Sequence, residues 1–264
     1  MRRIMLVPIR MTPQWITLSL ILLQLCACSA CKTPSTGKRM GNEKISSFRA
    51  AKAQLRLIYA DHRQTLYCGC SFDQELNIGL DDCAYNPTKA SKRAKRVEWE
   101  HVVPARILGQ NSKAWKKGHP SCHKKNGRAY KGRRCAKKTD ANYRRMAADL
   151  YNLYPSVGAI NNARGSLAMG EVEGEQRRFG QCDFEIGQKR VEPTEQVRGE
   201  IARTYLYMHQ SYPRAQILSD EEIKQYEHWA LQDPPDTWEC QRAQRIKLVQ
   251  GNANPIVEDA CIVP

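Results

Sequence analysis

Apolar residues return at helical intervals along much of this chain. Ser47 can cap a helix through its hydroxyl, and after it Phe48, Leu55 and Ile58 or Tyr59 fall on one face. Asp140 stands in the same relation to Tyr143, Met146 and Leu150. The longest amphipathic stretch runs from Pro193 to Tyr212, with Val197, Ile201, Tyr205 and Met208 in register. Two capping-box patterns follow. Ser219 with Glu222 precedes Ile223, Tyr226 and Ala230; Asp236 with Glu239 precedes Ile246 and Val249, and Gly251 suits the exit.

β-forming residues dominate only briefly. Val97 to Val103 reads as a strand stopped by Pro104, and Tyr151 to Tyr154 as a second strand stopped by Pro155. A brief helix over 156–162 begins near that proline. Residues 68–87 read as loop, with Gly69, Gly79 and two cysteine bends. Gly109, Gly118, Pro120, Gly127 and Gly132 predict a long loop after Pro104 rather than a helix. No segment repeats. The pattern therefore predicts one mixed α+β domain over 46–264, mostly helical with a short strand pair. A loose tether at 31–45, rich in Gly, Pro, Ser and Lys, should precede it.

Upstream of the tether, Arg2, Arg3 and Arg10 stand before an apolar run from Ile16 to Ala30. That run is short for a bilayer span and ends in small residues, so 1–30 reads as a signal peptide. Cys26, Cys28 and Cys31 give it a lipobox-like character, which leaves a lipidated cysteine and plain cleavage near Ala30 as alternatives. No later stretch approaches the apolar length of a membrane helix.

Export changes how the cysteines are read. Beyond the leader, Cys68, Cys70, Cys83, Cys122, Cys135, Cys182, Cys240 and Cys261 form an even set, as a disulfide framework requires. Zinc is the competing use, but Cys68-x-Cys70 lacks knuckle spacing and no other Cys/His set supplies four ligands. The pairing itself stays open.

Charge then narrows the partner. The formal net charge is +15, and removing the leader takes away only Arg2, Arg3 and Arg10. From Arg106 to Lys138 the chain carries twelve Lys or Arg and no acid, interleaved with Trp115 and Tyr130. Five more cations lie between Lys89 and Arg96. Such a surface suits a polyanion, with rings available to stack on bases.

The sharpest chemical signal is Glu98-Trp99-Glu100-His101-Val102-Val103-Pro104, which sets two carboxylates and an imidazole in an apolar strand just before the basic stretch. Phosphodiester hydrolysis needs a base for water, a cation on the phosphate and help for the leaving oxygen. His101 suits the first task and a neighbouring carboxylate can hold a hard cation. One geometric condition applies: in regular pleating Glu100 and His101 face opposite ways, so the chain must leave ideal geometry near Pro104.

These residues resemble the signature of the bacterial endonuclease I family, exported nonspecific nucleases of the ββα-metal (His-Me finger) superfamily. The resemblance continues through Met146 to Gly158, Asn161 to Arg164, Phe179 to Cys182, Arg198 to Met208, Trp238 to Arg242 and Ile246 to Pro255. It implies a disulfide-stapled α+β fold around a ββα-metal core. It further implies His101 as general base, Glu100 and Asn161 as ligands of one Mg²⁺ (Mn²⁺ or Ca²⁺ being able to occupy the site), and Arg133, or else Arg134, on the phosphate. Nucleic-acid contacts are expected at Arg106, Lys124, Lys125, Arg128, Lys131, Arg134 and Arg164. The implied activity is cleavage of DNA, with RNA a second candidate, to 5′-phosphate and 3′-hydroxyl ends, by a monomer. Two departures stand out: Ala147 occupies a position where the family often has glutamate, and Tyr151 one where it often has histidine. Loss of that carboxylate keeps open an exported nucleic-acid-binding protein with the nuclease fold but weak or no cleavage. A zinc peptidase is excluded by the lack of a His-Glu-x-x-His segment.

Overall fold

The computed structural model describes residues 41–81, 83–86, 91–174 and 177–261. The leader run, with Cys26, Cys28 and Cys31, lies outside those residues, as does most of the expected tether. The tether's last part is instead built into the fold. Asn42 is buried; its N–H donates to the Tyr212 hydroxyl at 2.7 Å and its Oδ1 accepts from the Ile45 N–H at 2.8 Å. The folded body thus begins by residue 41, not 46, because distant partners satisfy a polar segment that composition alone marks as loose.

Helix α1 (Phe48–Ile58) begins where the pattern predicts: the Ser47 hydroxyl accepts from the Ala50 N–H, and Ala51, Leu55 and Ile58 are buried. Strand β1 (Val97–His101) ends earlier than expected. Beyond it the Val102 and Val103 N–H groups turn to the backbone and side-chain oxygens of Asn152. The glycine-rich stretch is not one long loop. It contains α2 (Ala105–Gly109), α3 (Lys113–Lys116) and α4 (Arg133–Thr139). Its glycines mark boundaries instead: a Cβ at Gly109 would lie 2.2 Å from the Trp115 ring, and Gly132 precedes α4 with φ +76°.

Asp140 caps α5 (Ala141–Met146) by accepting from the Tyr143 N–H at 3.0 Å. Strand β2 (Leu153–Val157) runs through Pro155, where a stop was expected. It pairs antiparallel with β1 alone, placing Pro155 opposite Trp99 and Leu153 opposite His101. In a two-stranded pair the missing N–H can face the outer edge, and there the Pro155 carbonyl accepts from Leu66. Helix α6 (Gly158–Arg164) follows at once, completing a ββα unit.

A second sheet, β3 (Ala168–Met169), β4 (Phe184–Ile186) and β5 (Arg190–Pro193) in the order β3–β5–β4, adds to the predicted strand pair. It claims Pro193, so α7 (Arg198–Ser211) starts later than its periodicity predicts. Helix α8 (Asp220–Gln232) has the full capping box of Ser219 and Glu222. In α9 (Thr237–Gln250) Asp236 caps as expected, but the Glu239 side chain pairs with Arg203 instead of closing the box. Helix α10 (Pro255–Ala260) ends the fold. All eight cysteines are bridged: Cys68–Cys182, Cys70–Cys83, Cys122–Cys135 and Cys240–Cys261. Among the described residues no helix is long and apolar enough to cross a membrane.

The core lies where α7 is enclosed on nearly every side, burying Ile201, Tyr205 and Met208 together with Arg203 and Tyr207. Glu200 on this helix is only partly exposed, and its Oε1 has neither solvent nor a hydrogen-bond partner. Burial and the nearby Glu239 charge push its carboxyl up to about 8. A carboxyl whose folded value exceeds its unfolded one contributes stability that is full at acid pH and is lost as pH rises toward that folded value. Glu200→Gln should therefore flatten the fall of Tm between about pH 5 and pH 8. A variant with the parent's slope would contradict this origin.

Candidate active site

The ββα unit brings one end of β1 beside α6. A cleft of about 810 Å³ opens there, and Glu98, Glu100, His101, Arg133 and Asn161 all line it. Glu100 and His101 both line the cleft although they are adjacent in the strand, at whose end the chain turns at Val102.

His101 is buried and fixed on two sides. Its Nε2 lies 2.9 Å from the Ala147 carbonyl oxygen, and Phe48 packs on its ring at 4.8 Å between centroids. A carbonyl only accepts, so Nε2 carries the proton and Nδ1 keeps the lone pair of the neutral ring. Nδ1 has no protein partner among the described residues. Burial, with the Arg133 charge next, pulls the imidazole down to about 4, so it is neutral near pH 7. Ala147 meets the histidine through its backbone, so the side chain that departs from the family pattern is not what orients this ring. Tyr151, the other departure, is a core residue whose hydroxyl donates to the Ala243 and Asn252 carbonyls.

Glu100 is held from behind. The buried Arg164 guanidinium donates to its Oε1 at 2.8 Å, and the Tyr67 hydroxyl donates to the same oxygen at 3.0 Å. Burial pushes the Glu100 carboxyl up, and Arg164 and Tyr67 work against that rise. Both bonds fall on Oε1, which leaves Oε2 as the oxygen available to a ligand in the cleft. Asn161 is oriented in a similar way. Its Nδ2 donates to Glu98 Oε2 at 3.2 Å, leaving Oδ1 without a protein partner among the described residues. Glu98 is itself gripped by Arg93, whose Nε donates to Oε1 at 2.9 Å. Gly158 allows this approach, since a Cβ there would sit 2.8 Å from the Arg93 carbonyl and 2.9 Å from Glu98 Cγ. Glu98 and Arg93 were not singled out as site residues from sequence. The signal available was that Glu98 and Glu100, two apart on one strand, share a face.

The expected nucleic-acid contacts separate into groups. Arg106 and Arg133 are exposed and line the cleft, as does Trp115. Arg134 instead stacks on Tyr130 at 4.7 Å, outside the cleft lining. Lys124, Lys125, Arg128 and Lys131 are exposed between Cys122 and Cys135 and do not line it. Arg164 is a correction. It is fully buried, and it donates to the His101 carbonyl at 2.8 Å, the Val102 carbonyl at 2.7 Å and the Tyr205 hydroxyl at 3.1 Å. An arginine on an apparently polar short helix looks like a surface cation in sequence; here a buried carboxylate and two strand-end carbonyls draw it inward.

Among the described residues no group of three or more His, Cys, Asp or Glu side chains is disposed to hold a metal. Any ion in the cleft would rest on fewer such groups, as a carboxylate with an amide oxygen would provide.

The ββα unit thus sets a backbone-tethered histidine and two glutamates in one cleft lined by arginines, a setting suited to a phosphate-bearing substrate. The family model of endonuclease I matches residues 41–261, and the chain belongs to that family. An extracellular deoxyribonuclease of Aeromonas hydrophila is 38% identical over 221 residues, covering 81% of this chain and 90% of its own length. A periplasmic deoxyribonuclease of the same organism is 36% identical over 225 residues, covering 83% and 88%. Endonuclease-1 of Buchnera aphidicola is 37% identical over 234 residues, covering 86% and 87%.

The corrected position of Arg164 has a measurable consequence. Removing it leaves a buried carboxylate and two carbonyls unpaired, so Arg164→Met should lower unfolding stability in urea by about 3–5 kcal/mol. A loss below about 0.5 kcal/mol, typical of an exposed cation, would return Arg164 to the surface.

Proposed function

We propose that this chain is an exported, sequence-nonspecific endonuclease that hydrolyses DNA, with RNA a second candidate substrate, using one divalent cation of the magnesium class. The observation that carries the reading is the imidazole of His101: neutral, with its proton committed to Ala147, and with Nδ1 free in a cationic cleft. The names of the relatives, extracellular and periplasmic deoxyribonucleases, support the substrate and export. The leader-like 1–30 segment supports export as well.

The donor chemistry fits a hard cation: Glu100 Oε2 and Asn161 Oδ1 are oxygens without protein partners among the described residues, on two side chains that line the same cleft. Mg²⁺ suits such a pair because it keeps several waters and takes few protein ligands. When bound, the ion would withdraw charge from a phosphate oxygen and stabilise the departing 3′ oxygen. His101 Nδ1 accepts a proton from water as that water attacks phosphorus in line. The P–O3′ bond breaks and the departing O3′ takes a proton from a solvent water, giving 5′-phosphate and 3′-hydroxyl ends. Arg133 neutralises charge building on the phosphate oxygens. Arg164 offsets the Glu100 charge from behind, which favours an ion that completes its shell with substrate phosphate over one held tightly in the free protein.

His101→Ala should abolish plasmid cleavage in Mg²⁺ while leaving DNA retention in EDTA close to the parent's. Cleavage at the parent's rate would remove His101 as base, and parent protein that retards but never cuts DNA in Mg²⁺ would favour the binding-only alternative. Asn161→Ala should raise the Mg²⁺ concentration for half-maximal cleavage by roughly tenfold or more. An unchanged titration would take Asn161 out of the ligand set.

A further inference from the structure

The basic stretch after His101 supplies only part of the cleft lining; α1 supplies another part. Its buried face is Ala51, Leu55 and Ile58, and its other face turns Arg49, Lys52 and Arg56 to solvent, all three lining the cleft that contains His101. The helix carries no acidic residue, and none of the three cations has an ion-pair partner among the described residues. Two of them are instead steadied by uncharged groups: Lys52 Nζ lies 5.3 Å from the Phe48 ring centroid, and Arg56 donates to the Gln74 carbonyl at 3.3 Å.

We propose that Arg49, Lys52 and Arg56 form a strand-guiding subsite that binds consecutive backbone phosphates of a nucleic acid leading away from the scissile bond. The proposal rests on the nuclease reading of the cleft. Its geometry comes from the helix. Phe48, at the start of α1, packs on the His101 ring, so the row begins at the reacting centre. At a rise of 1.5 Å per residue, Arg49 to Arg56 extends about 10 Å from there, comparable with the rise of about three nucleotides measured along the axis of duplex DNA. Spacings of three and four residues keep all three charges on one stripe. Like charges held on a stripe without counter-ions repel one another, and a polyanion laid along them removes that repulsion.

Affinity for a fluorescent 20-base-pair duplex, measured in EDTA across a range of NaCl, tests this directly. Each phosphate contact adds about 0.9 to the slope of log K against log salt. The Arg49→Ala/Lys52→Ala/Arg56→Ala variant should therefore have a slope shallower than the parent's by roughly two to three. Lys189, Arg214 and Lys224 are exposed and line no part of the cleft, so replacing those three by alanine removes equal charge and should change the slope by less than one. Equal slopes for the parent and the α1 variant would overturn the proposal, as would equal reductions in the two triple variants. If the α1 triple fails to fold, the single variants Arg49→Gln, Lys52→Gln and Arg56→Gln should each reduce the slope by close to one, and three unchanged slopes would overturn it. A parallel plasmid assay in Mg²⁺ separates the two readings. Cut plasmid with unchanged slopes discards the α1 subsite alone; uncut plasmid with the expected slope change retains the subsite and discards the nuclease reading.

Discussion

The buried contact between Arg164 and Glu100 is the constraint on which the site's shape depends. One guanidinium, entirely out of solvent, ties the end of β1 to α6 and to Tyr205 of α7 through Glu100 and the His101 and Val102 carbonyls. Burying two charges is costly unless their remaining hydrogen bonds are met, and here most are, with only Arg164 Nε left without a partner. The carbonyls it takes up are those freed where β1 ends and the chain turns. Two residues adjacent in sequence, Glu100 and His101, thus line one cleft at the strand's end.

A common logic positions the remaining groups. Each candidate functional atom belongs to a side chain whose other polar atom is already committed: Nε2 of His101 to Ala147, Oε1 of Glu100 to Arg164 and Tyr67, Nδ2 of Asn161 to Glu98. The protein thereby decides which nitrogen is basic and which oxygens are free, before substrate arrives. At position 147 the histidine is oriented by a backbone carbonyl, which any residue there provides.

Much of this was legible in the sequence, for identifiable reasons. Ser47, Asp140, Ser219 and Asp236 announced helix starts because capping is local chemistry that distant contacts seldom override. The short strand pair could be read at Val97 to Val103 and Tyr151 to Tyr154, each shifted from the strands that form, Val97–His101 and Leu153–Val157, and Pro155 proved compatible with an outer edge. The three-stranded sheet was not legible: strands such as Ala168–Met169 are too short to carry a period. Glycines in the basic stretch were misread as loop because they punctuate very short helices. Of the site, Glu100, His101, Asn161 and Arg133 were named beforehand and line one cleft. Arg164 was placed on the wrong side of the surface, and the cations of α1 carry no signal in the sequence that sets them beside the cleft. In both cases the deciding information was a tertiary neighbour, Glu100 for one and the cleft mouth for the other.

The central claim is that Glu100 and Asn161 jointly hold one hard cation beside the His101 base. Crystals soaked in Mn²⁺ and measured at its absorption edge test this most directly. The account predicts one anomalous peak in the cleft, about 2.0–2.3 Å from both Glu100 Oε2 and Asn161 Oδ1. A cleft without a peak at saturating Mn²⁺, or an ion bound away from that pair, would contradict it.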